Sequence, residues 1–351
     1  MSRRDIHYWK CDRPAAFHGT APRASRAAEL EGLLAEVLRE ALGAHRLVLQ
    51  PGAGQGNHLT WRGEADGQRL FVRVEDGPEG DAHLAVESAV LARVRAEGLP
   101  VPAVLGWDAS RTRVPFAWQA LECFDAPDLN HWFRRGELQA EPVFRAIGAA
   151  VARWQAVQPS GFGVLDAGLN GLRPSYADYF RLRLDTHLGF LIDRGFLNAA
   201  QGREIEAAIA SASDLLELKQ GCLVHKDLAL WNILGTPDRI AAFIDFDDAI
   251  SGDPMDDLSL LACFHDAAPV RAAFAGYADV RSLPDDALPR FWLHLLRNLL
   301  VKAVIRVGAG YFERDNDFFL GGGAALRRAT HERLALALEG LRRDADLSLL
   351  P

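Results

Sequence analysis

His225-Lys226-Asp227-Leu228-Ala229-Leu230-Trp231-Asn232, followed downstream by Ile244-Asp245-Phe246-Asp247, is the stretch on which the reading of this chain turns. An apolar run with strand character, Cys222 to Val224, delivers a loop that holds an aspartate and then an asparagine at Asp-x-x-x-x-Asn spacing. A second apolar run, Ile240 to Ile244, ends in another aspartate. Asp and Asn are common at strand ends simply because they suit turns. Three such groups at correlated spacing, in a loop and at the end of a hairpin, are hard to obtain from turn preference alone.

The residue types suit one chemistry. Phosphoryl transfer needs a carboxylate to orient and deprotonate an attacking hydroxyl, and oxygen ligands for Mg2+ on the phosphates of ATP. Asp227 fits the first role; Asn232 and Asp245 fit the second. His225 reads as an anchor of the loop rather than as a base. Lys226 stands close enough to Asp227 to touch a phosphate, or to pair with a neighbouring carboxylate.

The stretch Leu223 to Leu261, with Gly252-Asp253-Pro254-Met255-Asp256-Asp257-Leu258 at its end, resembles the aminoglycoside phosphotransferase and choline kinase superfamily. The specific motifs lie within residues 221–258, and the likeness in lobe order runs from about residue 45 onward. The resemblance implies an α+β, two-lobed protein-kinase-like fold. An N-terminal arm and helix (1–44) precede a small antiparallel-sheet, nucleotide-binding N-lobe (45–122) and a larger, mostly helical C-lobe (123–351) with the catalytic loop, metal site and substrate-binding helices. It also implies an ATP- and Mg2+-dependent kinase acting on a hydroxyl of a small polar molecule such as an aminoglycoside, sugar or amino alcohol. The alternative is a catalytically silent, pseudokinase-like nucleotide-binding module. By the same resemblance Asp257 is a buried support accepting hydrogen bonds from the catalytic-loop backbone. Asp253, before Pro254, reads as a helix cap.

Working outward, Arg46 to Gln50, His58 to Gly63 and Arg69 to Glu75 alternate as strands, and a helix is expected from Asp81 to Glu97. Ala103 to Asp108 and Pro115 to Glu122 complete a strand-rich lobe. Gly52, Gly54 and Gly56 lie between two of these strands, so their backbone can close over phosphates, although a plain hairpin is the alternative. A dinucleotide-binding fingerprint would need a helix directly after the glycines, and a strand follows instead. No lysine occurs between Lys10 and Lys219, so the lysine that kinases place on the third strand is missing, and Arg73 is its stand-in beside Phe71. Glu87 is the expected partner of Arg73: it falls on the apolar stripe of Leu84, Leu91 and Val94, where a carboxylate is costly unless paired. A snorkelling Glu at the stripe's edge is the bland alternative. Main-chain groups of Glu122 and Phe124 would meet adenine at the hinge.

Helices are expected over Val143–Val157, Ser175–Arg194, Gly202–Leu218, Asp286–Val307 and Ala324–Leu341. Tyr176, Asp178, Tyr179, Glu313, Asp315 and Asp317 are nominated for the substrate side, with solvated helix faces as the alternative. The stretch Asp247 to Asp253 is too short for a peptide-docking platform, leaving an open floor beside Asp227 walled near Tyr179 and Trp292.

The bulk composition narrows the partners. A net charge of -8 argues against nucleic acid and is compatible with a cationic substrate, though such a charge mostly serves solubility. Cys11, Cys123, Cys222 and Cys263 are too dispersed for a zinc site or a disulfide framework. No signal peptide or apolar span is legible, so no membrane association is expected and the cytoplasm is the default location. Of 39 basic residues, only Lys10, Lys219, Lys226 and Lys302 are lysines.

Overall fold

The computed structural model describes residues 3–12, 23–52, 58–77, 83–314 and 322–351. A short helix α1 (Trp9–Asp12) lies in the N-terminal arm, and α2 (Arg23–Leu42) follows. Strands β1 (Leu47–Pro51), β2 (Leu59–Ala65) and β3 (Gln68–Glu75), helix α3 (His83–Ala96), then β4 (Val104–Asp108) and β5 (Ala117–Glu122) build an antiparallel sheet of order β1-β2-β3-β5-β4. Side chains alternate across a strand. Leu70, Val72 and Val74 of β3 therefore bury against Leu30, Leu34 and Leu38 of α2, with Trp61 and Trp118 filling the space between. Phe71 and Arg73 point the other way, into the cleft between the lobes. Helix α3 packs on β4 and β5 and also reaches the turn Phe246–Asp248 of the second lobe.

The second lobe is mainly helical. Helices α4 (Leu129–Arg134) and α5 (Ala140–Trp154) lead into β6 (Phe162–Leu165) and β7 (Gly171–Arg173), followed by α6 (Tyr176–Arg181), α7 (Leu184–Asp193) and α8 (Ala199–Ser211). Strand β8 (Cys222–Val224), the hairpin β9 (Ile233–Thr236) and β10 (Arg239–Phe243), and β11 (Ile250–Gly252) come next. The lobe closes with α9 (Asp256–Leu261), α10 (Ala267–Ala278), α11 (Ala287–Gly308) and α12 (Gly323–Arg343). β11 lies inside a sheet of order β7-β6-β11-β8, which ties the segment after Asp245 to the strand that leads into the loop of Asp227 and Asn232.

The sequence reading merged α6 and α7 into one helix. The chain breaks at Leu182 and Arg183, the latter in the left-handed region at φ 61°. Buried Arg297 of α11 donates from Nε to Phe180 O (3.0 Å) and from Nη2 to Leu182 O (2.9 Å), satisfying carbonyls that the broken helix leaves over. The compensating group comes from more than a hundred residues away, and no Gly or Pro marks the break locally.

Helix α10, also unforeseen, sits so close to α5 that only glycine fits at two points. A Cβ on Gly148 would lie 1.8 Å from Ala273 O, and one on Gly276 would lie 1.8 Å from Arg145 O. Either Gly→Ala change is therefore expected to cost about 1–3 kcal/mol or more in a urea melt, because two helices must separate. Gly189→Ala in α7, where a Cβ would meet nothing within 4 Å, is expected instead to add about 0.5–1 kcal/mol.

Candidate active site

The loop after β8 is hung from one carboxylate. Asp257, buried at the start of α9, accepts His225 N–H at Oδ2 (2.9 Å) and Lys226 N–H at Oδ1 (3.0 Å), and Trp154 Nε1–H reaches Oδ2 at 3.2 Å. Burial pushes Asp257 up to about 6, against the pull of the histidine and the backbone donors. His225 Nδ1 accepts Asp227 N–H (3.3 Å), so its Nε2 carries the proton and donates to Ile244 O (3.0 Å). That ring joins the loop to the end of the β9–β10 hairpin. Lys226 and Asp245 both sit at φ 69°, a conformation that costs a non-glycine residue about 1–3 kcal/mol and is held by the surrounding bonds. Lys226 turns away from the cleft: its Nζ donates to Asp256 (2.7 Å) and Asn298 (3.0 Å), which makes it a buried structural cation rather than a phosphate contact.

Asp227, Asn232 and Asp245 line one cleft of about 800 Å³ between the lobes. Asn232 Nδ2 donates to Asp227 O (2.8 Å) and Oδ2 (3.1 Å), which leaves its Oδ1 as the atom available to a cation. Two ammonium groups grip Asp227 as well: Lys10 Nζ at Oδ2 (2.8 Å) and Lys302 Nζ at Oδ1 (2.9 Å). Burial alone would raise Asp227; Lys10 and Lys302 outweigh it and hold the carboxyl well below its usual range. The two ammonium groups thus favour its ionised form.

Arg73 is a node rather than one half of a pair. Its Nη1 bonds Glu87 Oε2, and its Nη2 reaches Asp247 Oδ2 (2.9 Å), Asp245 Oδ1 (3.1 Å) and His58 Nδ1 (2.7 Å). Glu87 Oε1 accepts Phe246 N–H (3.2 Å), so β3, α3 and the segment after β10 meet at one guanidinium. The fork of Arg73 is thus directed at these carboxylates, although its side chain lines the cleft. Burial and mutual repulsion raise Asp245 to about 6, Asp248 to about 7 and Glu87 to about 8, while Arg73, its charge favoured by the carboxylates, holds Asp247 well below the usual range. Such a surplus of buried carboxyl groups calls for another cation, and its donors are hard oxygens. Asp245 and Asn232 fit Mg2+.

The hinge residues Glu122 and Phe124 line the cleft too. Glu122 N–H donates to Ala103 O (2.9 Å). Gly52 also lines the cleft, and a Cβ there would come within 2.5 Å of Thr60 Oγ1; Gly54 and Gly56 lie outside the described residues, as do Asp315 and Asp317. Asp253 accepts Met255 N–H (2.8 Å) and pairs with Arg290 (2.6 Å).

The expectation of an open floor walled by Tyr179 and Trp292 is corrected. Both are fully buried. The arm occupies the region instead: Tyr179 Oη–H donates to His7 O (2.8 Å), the two rings stack at 4.7 Å, and Tyr8 and Lys10 follow toward Asp227. Residues 3–12 of the arm are a folded part of the site. Sequence reasoning also missed Lys302 and Asp247. A signal for Lys302 existed: His294, Asn298, Lys302 and Arg306 recur every four residues along a mainly apolar helix and are all buried.

Comparison with known proteins places this geometry. The model of the phosphotransferase enzyme family matches residues 48–292. Among solved structures, the chain resembles aminoglycoside phosphotransferase APH(4)-Ia in a ternary complex with AMP-PNP and hygromycin B, at 18% identity and a TM-score of 0.61, covering 87% of this chain and 97% of that one. It resembles macrolide 2'-phosphotransferase MphH from Brachybacterium faecium at 19% identity and a TM-score of 0.57, covering 88% and 98%. No curated protein matches the chain. Among the described residues, no helix is long and apolar enough to cross a membrane.

The shared node makes a prediction. Arg73→Met and Glu87→Gln should each depress nucleotide-dependent activity, and a double-mutant cycle should show coupling of about 0.5–3 kcal/mol. Additive losses would mean that the two side chains act apart.

Proposed function

Because the chain belongs to the phosphotransferase enzyme family, we propose that it is an ATP- and Mg2+-dependent kinase that phosphorylates a hydroxyl of a small molecule. The observation that carries this reading is the convergence of Asp227, Asn232 and Asp245 in one cleft, with Arg73 and Glu87 behind them.

In the reaction the acceptor oxygen bonds to the γ-phosphorus while the bond from phosphorus to the β–γ bridging oxygen breaks, and that electron pair leaves with ADP. The hydroxyl proton passes to Asp227 and then to water. Asp227 aims the oxygen, helped by Asn232, which fixes the carboxylate's orientation through its Nδ2 bond. Asn232 Oδ1 and Asp245 would hold Mg2+, which when bound neutralises charge on the β- and γ-phosphates. Gly52 and the hinge at Glu122 and Phe124 would hold the nucleotide.

The small acceptor is supported by the short path after Asp245. A single turn, Phe246–Asp248, leads directly into β11, whose Ile250 and Ser251 are paired on both sides. The chain enters α9 at Asp256, with no long segment on which a peptide could lie.

Asp227→Asn is expected to lower turnover by roughly 10²- to 10⁴-fold with little change in ATP affinity, the usual worth of a positioned base. Asp245→Asn is expected to raise the Mg2+ concentration needed for half-maximal rate. ADP release followed across a panel of hydroxyl compounds, with Mg2+ varied, measures both; near-wild-type turnover of folded Asp227→Asn would remove the base assignment.

A further inference from the structure

Resting on the phosphotransferase reading, we propose that the acceptor is a hydroxyl compound bearing an anionic group, a carboxylate or a phosphate, which Lys10 and Lys302 hold beside Asp227.

The charge balance at the acceptor end is the argument. Asp227 supplies one negative charge and receives two ammonium groups, at 2.8 and 2.9 Å. Arg306, one turn beyond Lys302 on α11, lines the same wall and donates to Thr330 Oγ1. The other carboxylates lining the cleft are committed elsewhere. Glu87, Asp245 and Asp247 surround Arg73, Glu122 accepts Ala103 N–H, and Asp128 accepts His131 N–H at the start of α4. Asp245 and Asp248 also act on Lys10 electrostatically, and of these only Asp245 lines the cleft, while Lys302 pairs with Asp227. Among the described residues, an acceptor's ammonium group would meet cations at this end, while a carboxylate or phosphate would complete them.

Neither lysine is a loose surface group. Lys302 is buried, with its Nζ 4.8 Å from the Tyr8 ring centroid and 5.8 Å from that of Phe264, and it donates to Tyr8 Oη (3.3 Å). Lys10 is placed by a built anchor. Asp12 Oδ2 accepts the N–H groups of His7 (2.8 Å) and Tyr8 (2.9 Å). Arg297 can only donate, so His187 Nδ1 accepts from it at 3.0 Å, and His187 Nε2–H must then donate to Asp12 Oδ1 at 2.7 Å. The chain otherwise uses arginine as its cation, with four lysines among 39 basic residues, and two of the four meet at this carboxylate. An ammonium is a compact point charge that can follow a ligand's anionic group and the base alike. Phe264, Trp231 and Tyr311 give the same end of the cleft an aromatic wall, which suits a compact molecule rather than a long polycation.

The test uses the full-length enzyme and matched acceptors: D-gluconate and glucose 6-phosphate against D-glucose and D-glucosamine, and D-glycerate against glycerol and 2-aminoethanol. ADP release gives kcat/KM, and calorimetric titration of the Mg2+·AMP-PNP complex gives affinity. The acids should exceed their neutral and cationic counterparts at least tenfold in both, and the carboxylate and phosphate arms separate the two sources of anion. Lys302→Met and Lys10→Met should collapse that ratio mainly through KM, while Lys302→Arg should retain most of it. Equal or better use of the neutral or cationic member overturns the proposal. So does a ratio that survives in both methionine variants, or a failure of every acid to bind. Slow acceptor-free hydrolysis of Mg2+·ATP reports the phosphotransferase reading separately: if it persists while the acids are rejected, only the acceptor class falls, and if the enzyme neither binds nor hydrolyses nucleotide, both fall.

Discussion

One buried guanidinium joins the two halves of this molecule. Arg73 comes from a strand of the first lobe, Glu87 from the helix beside it, and Asp245 and Asp247 from the turn that follows β10 in the second lobe. A buried charge with its partners removed costs about 3–5 kcal/mol, so this contact cannot be loosened cheaply. The orientation of the lobes, the placement of Asp245 and the aim of α3 are therefore parts of a single electrostatic solution. Arg suits the task better than Lys, since a planar fork can meet carboxylates from several directions at once.

A second charge cluster, at Asp227, ties the chain's ends to its centre. Lys10 arrives from the N-terminal arm and Lys302 from α11, more than 290 residues apart in sequence, and both end on the same carboxylate. Next to it, Asp256, Lys226 and Asn298 form a buried network that braces the loop from behind. The division of labour follows from geometry: one lysine of the loop is structural, and the two lysines that face the cleft come from elsewhere. Residues 3–12 of the arm are thus part of the cleft's surroundings, held by His7, Tyr8 and Asp12.

Much of this was legible in the sequence because it was local. Strand alternation and the Asp-x-x-x-x-Asn loop each announce themselves within a dozen residues, and the structure brings Asp227, Asn232 and Asp245 together in one cleft. Glu87 was legible for another reason, since a carboxylate on an apolar stripe demands a partner. What escaped was long-range. The break between α6 and α7 is satisfied by Arg297, and the path of the arm is set by Tyr179 and His187. Neither leaves a mark in the neighbouring sequence. Lys302 is the intermediate case: buried polar residues every fourth position on α11 form a pattern, but its meaning depends on knowing what faces that stripe. The negative net charge is compatible with a cationic substrate, whereas beside Asp227 two ammonium groups meet one carboxylate. A sum over the whole surface carries little information about one cleft.

The proposed function stands on the cleft being a site for a nucleotide and its metal together, in which a divalent cation would join the buried carboxyl groups around Asp245. Calorimetric titration of the protein with AMP-PNP, run with and without Mg2+, tests this most directly. One nucleotide per chain, bound at least tenfold more tightly with Mg2+ than without, is the predicted result. Binding indifferent to the metal, or no binding at all, would contradict it.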